Sequence, residues 1–143
     1  MNNFIGNMSL HNILRILILA LIALSISSVV ADYLTQDSLS ASLRDNYYSE
    51  FFKQYPALSN SMGVALVGAE LIALMGLWRR WNPARYIYFI ALAATCAITP
   101  LLGPSISTAW GETFEVAAAM VAGGILVLIF FTDLRLEFMN GVR

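Results

Sequence analysis

Charge is what this sequence has least of. Of its 143 residues, 12% are charged and 59% are hydrophobic, whereas ordinary soluble domains carry about 25% charged residues. A soluble chain so poor in charge would expose wide apolar patches and associate through them, so the composition points to a bilayer. The single cysteine, Cys96, excludes an intrachain disulfide and a cysteine-built metal centre. The single histidine, His11, excludes a histidine pair for haem or metal within one chain. Basic excess is missing too. The net charge is −1, which argues against a nucleic-acid partner. No HExxH, GxSxG, phosphate loop, CxxC or acidic metal cluster occurs. The polar residues at depth are one acid and a few hydroxyls, too few for an enzyme acting on lipids. The expectation is a protein without catalytic activity, metal or cofactor.

What the chain does have is four long apolar runs, at residues 13–31, 61–78, 85–103 and 113–131. A bilayer core about 30 Å thick takes roughly 20 residues of helix. Residues 1–143 therefore read as a single membrane domain with four spans. Pro100 lies near the end of the third run and should fray or kink it there. The first run ends in Val29, Val30 and Ala31 before Asp32, small residues at positions where a signal peptide would be cut. The run is long for a signal peptide and its leading segment is weakly basic. The later runs keep the same orientation in either case.

The charges sort by loop. Arg15 opens the first run, Arg79, Arg80 and Arg85 surround the second turn, and Arg135 and Arg143 follow the last run. The loop over residues 32–60 is acid-rich, and the one over residues 103–112 carries Glu112 and no base. Arginine and lysine mark the cytoplasmic side, so both termini and the Arg79 turn are expected there. Trp78, Trp81, Tyr86 and Tyr88 then form an inner aromatic belt, with Trp110 at the outer interface. Within the first outer loop, Leu39, Leu43, Tyr47, Phe51 and Tyr55 recur every four residues. That spacing draws an apolar stripe along a helix over about residues 37–55, with Asp37 as N-cap and Pro56 as its stop. The expected fold is all-α: an integral membrane four-helix bundle with an amphipathic extracytoplasmic helix between spans one and two.

Glu70 is the residue out of place. It is the one charge near the centre of a span, where a charged group costs at least about 2.5 kcal/mol. It must keep its proton or find a partner. It lies ten residues from Arg80 in sequence, about 15 Å along a helix. Counting ten residues from Arg85 in the next span gives Thr95, with Thr99 one turn further out. No base occurs at that depth, so a hydrogen bond to Thr95 is the expected pairing. Small residues at four-residue spacing, Ala65, Ala69 and Ala73 with Gly76, and Ala119 with Gly123, predict faces where helices approach closely.

Other polar residues have plain explanations. Glu112 and Glu115 suit the dipole at a helix N-terminus. Ser25, Ser27 and Ser28 can bond back to their own helix, and Cys96 reads as a small packing residue. In length, span count and a single intramembrane glutamate, the chain resembles the small multidrug-resistance transporters in design type. In that family the glutamate lies in the first span, and the long outer loop is missing. No motif aligns, so no residue role carries over.

Two functions follow as expectations. The first is a non-catalytic interaction or stabilising subunit of a membrane complex, binding other membrane subunits or its own copies within the lipid bilayer. The second is a proton-coupled transporter or channel component that uses Glu70.

Overall fold

The computed structural model describes residues 10–35, 54–102 and 107–132. Their regular structure is entirely helical: α1 (Leu10–Thr35), α2 (Pro56–Trp78), α3 (Asn82–Ile98) and α4 (Ala109–Phe131). Three of them, α1, α2 and α4, are long and apolar enough to cross a membrane. The third has 17 residues and continues as a 3-10 turn, Thr99–Leu102. Pro100 accounts for the change, because it lacks the N–H that would continue the α-helical ladder.

Local chemistry sets the other boundaries. Proline is favoured in the first turn of a helix, where its missing N–H is not needed. Pro56 accordingly opens α2, five residues before the apolar run begins, and Pro83 lies in the first turn of α3. Thr108 caps α4: its hydroxyl accepts a hydrogen bond from the Gly111 N–H at 3.2 Å. Helix α1 runs unbroken across the Ala31–Asp32 bond. The predicted outer stripe of Leu39, Leu43, Tyr47 and Phe51 lies outside the described residues, as do both termini. Tyr55 is described and sits exposed at the start of α2.

The helices alternate in direction. α1 packs along α4, and α2 packs along α3, while the two pairs touch each other sparsely. Leu14, Ile18 and Leu21 recur on one face of α1 and form a core with Ala122, Ile125 and Ile129 of α4. Ala73, Leu74 and Leu77 of α2, with Ala84 and Tyr88 of α3, complete it.

Tyr88 does not belong to an aromatic belt. It is fully buried, and its hydroxyl donates to the Ala122 carbonyl at 3.5 Å. The turn between α2 and α3 is so short that Tyr88 already lies nearly two turns inside its helix. Val64, Ile72, Met75, Ile90, Met120 and Phe131 face outward, an apolar surface suited to lipid or to neighbouring helices.

Candidate functional site

The sparse contact between the helix pairs leaves a partly open cleft of about 680 Å³. Glu70 and Val67 of α2 line one side, Ser25 and Ser28 of α1 another, and Glu115 and Ala118 of α4 complete the lining. Glu70 is half-buried and Glu115 exposed. Glu70 also lies within electrostatic range of the buried Tyr88. Among the described residues the rest of the lining is apolar, and none of them there is basic. Its polar lining is two carboxyl groups and two hydroxyls set in hydrocarbon.

The expected bond from Glu70 to Thr95 is not formed. The Thr95 hydroxyl donates to the Ala91 carbonyl at 3.0 Å, and Thr99 donates to the Thr95 carbonyl at 2.8 Å. The reason is register. A Cβ on Gly76 would fall 2.6 Å from the Cβ of Ala84, so these two residues face each other. Six residues outward, Glu70 comes level with Ile90. Thr95 is five residues beyond that level, about 7.5 Å along the axis. Arg80 and Arg85 are therefore at different depths. Arg80 is in the turn, whereas Arg85 is already inside α3, where it is buried and donates to Asn82 Oδ1 at 2.6 Å.

The predicted small-residue faces are used in part. Ala73 is buried, and Gly76 is buried against Ala84 and the Trp81 ring. Ala65 is exposed and Ala69 half-buried. On α4, Ala119 is exposed, and space is open beside Gly123. The face that α4 buries instead carries Ala122, Ile125 and Ile129. Cys96 is exposed rather than packed.

A polar clasp joins the C-terminal end of α1 to the N-terminal end of α4, and the sequence reading passed over it. Asp32 Oδ1 accepts from the Thr108 N–H at 2.9 Å and from the Thr108 hydroxyl at 2.7 Å. Ser28 does not bond back to its own helix; its hydroxyl donates to the Gly111 carbonyl at 3.1 Å. Gly111 has no room for a side chain, since a Cβ there would collide with the Asp32 carboxylate. Two signals were available: a lone acid at the end of an apolar run, and a threonine three residues before a glycine at a helix start.

The opposite end, where α1 begins and α2 ends, is held differently. The Arg15 guanidinium lies 5.1 Å from the centre of the Trp78 ring, a cation–π contact between α1 and α2. Tyr86 and Phe89 of α3 meet Phe130 of α4 edge-on. Among the described residues, no group of three histidine, cysteine or acidic side chains is placed to hold a metal ion.

Comparison with protein-family models, curated proteins and solved structures finds no match. The structure thus defines a class: an all-helical protein with three helices able to cross a membrane.

Proposed function

We propose that this is a small multi-pass membrane protein acting as a non-catalytic interaction or stabilising subunit of a membrane complex. All four helices cross the bilayer, and both termini and the α2–α3 turn are cytoplasmic. The 17 residues of α3 and the four of its 3-10 extension reach about 33 Å, enough for a hydrocarbon core of about 30 Å. The start of α1, the end of α2, the start of α3 and the end of α4 lie at one end, as Arg15 on Trp78 and Phe130 on Tyr86 indicate. Cysteines introduced at Ser42 and Asn140, with Cys96 replaced by alanine, should be labelled from opposite sides of the membrane. Ser42 reacting from the cytoplasm would refute this orientation.

One observation carries the functional reading. Glu70 faces a lateral cleft to which the described residues contribute no base. A transmembrane segment of another chain, bearing lysine or arginine at mid-depth, fits that chemistry. Native mass spectrometry of the protein gently extracted from its own membrane tests this. Other polypeptides at fixed ratio are the expected result, and Glu70→Gln should weaken that assembly. A monomer or homo-oligomer alone would overturn it.

A second reading, a proton-coupled transporter or channel component, is favoured by Glu70 and Glu115 sharing one cleft. It predicts that Glu70→Gln folds but loses pH-dependent flux in proteoliposomes. Retained flux would exclude it.

A further inference from the structure

The turn between α2 and α3 ends its helix in an unusual way. The Trp81 N–H donates to the Gly76 carbonyl at 2.8 Å, and the Arg80 N–H donates to the Leu77 carbonyl at 3.1 Å. This pair of bonds is the usual close of a helix that ends in one left-handed residue. That residue is Arg80, with φ 60°. Glycine normally fills this position because other residues are strained there. Here a long cation fills it, beside a second one at Arg79.

Both arginines line a second cleft, of about 490 Å³, separate from the Glu70 cleft. Trp81 and Asn82 line it at the same level, and Ile72 and Met75 extend it along α2 toward the bilayer centre. Arg79, Arg80 and Trp81 are exposed, as are Ile72 and Met75. Asn82 Oδ1 already accepts from Arg85, so what Asn82 can offer an anion in the cleft is its amide N–H groups. The cleft therefore has a cationic, donor-rich head and an apolar tail.

We propose that this cleft binds an anionic phospholipid. Its headgroup phosphate lies between Arg79, Arg80 and the Asn82 amide, and one acyl chain lies along Ile72 and Met75. Trp81 sits at headgroup depth, where indole rings are favoured. A basic pocket between helices at the membrane surface suits such headgroups. A free phosphate would use only the head of the cleft, and its apolar extension is what commits the site to lipid. The inference places the turn at the membrane surface and is independent of what fills the Glu70 cleft.

The experiment is native mass spectrometry of the detergent-solubilised full chain, titrated with phosphatidylglycerol or with phosphatidylcholine. The chain should retain phosphatidylglycerol preferentially. Arg79→Gln and Arg80→Gln should each cut that preference by about fivefold, with melting temperatures in lipid-free detergent unchanged. Arg80→Gly separates strain from binding. It should raise the lipid-free melting temperature by about 1–4 °C and still lose the lipid preference. Equal retention of both lipids would overturn the proposal, and so would a preference that survives both glutamine variants. Displacement of phosphatidylglycerol by millimolar inorganic phosphate would overturn it as well, by reducing the site to an anion site.

Discussion

Replacing Asp32 with alanine should loosen the contact between the end of α1 and the start of α4, and the size of the effect can be worked out. Asp32 Oδ1 accepts two hydrogen bonds from Thr108, which is itself buried. A hydrogen bond to a charged group contributes about 1.5–3 kcal/mol, and the half-buried carboxylate puts this pair at the lower end. Alanine also strands the buried Thr108 N–H and removes a negative charge from the N-terminus of α4, the latter costing about 0.3–1 kcal/mol. The sum is a loss of about 2–4 kcal/mol. Asparagine keeps an acceptor but loses the charge, so Asp32→Asn should lose about half as much. Denaturant unfolding in detergent micelles, followed by tryptophan fluorescence, reads both losses; Trp110 lies close to the clasp. The decisive measurement is the double-mutant cycle with Thr108→Val, which removes the hydroxyl bond but leaves the backbone one, so a coupling of about 1–1.5 kcal/mol is expected. Additivity within about 0.5 kcal/mol would refute the bond from the Thr108 hydroxyl to Asp32.

Other substitutions test other contacts. Gly111→Ala should destabilise the wild type but add little to Asp32→Ala, because its methyl group collides with the Asp32 carboxylate; equal effects in both backgrounds would contradict that. Gly76→Ala should cost about 1–3 kcal/mol through overpacking against Ala84, although alanine gains about 1 kcal/mol in helix propensity. A higher melting temperature for this variant would show that the α2–α3 contact is looser than described. Trp78→Leu should lose about 0.5–2 kcal/mol with its cation–π contact. A cycle with Arg15→Gln that shows no coupling would remove that contact from the account.

Much of the helical framework was legible in the sequence because the bilayer demands long apolar runs, and those runs are visible without any knowledge of packing. Helices α1, α2 and α4 coincide with three of the runs. The 3-10 end of α3 follows from Pro100. Register was harder to read. The sequence count took the Arg79–Arg85 stretch as one turn, but residues 82 to 85 already belong to α3. That difference moves Tyr88 into the core and Thr95 away from Glu70. Pairing between α1 and α4 was also hidden, because neither an apolar pattern nor a small-residue spacing says which helix another will choose. Asp32, Ser28 and Thr108 are individually ordinary, and only the pairing of the first helix with the last brings them together.

That pairing has a consequence for how the protein is made. Helix α1 leaves the ribosome first, but the partner of its polar end is encoded 76 residues later. At translation rates of about 5–20 residues per second, α1 waits roughly 4–15 s for Thr108. During that interval Asp32 has no threonine to hold, and the α1 face of Leu14, Ile18 and Leu21 has no α4 to cover it. The α2–α3 hairpin can close meanwhile, since its short turn brings Gly76 against Ala84. The contact between α1 and α4 can thus close only after α4 has been made. A chain cut before α4 would leave Asp32 without its Thr108 donors beside an uncovered face of Leu14, Ile18 and Leu21.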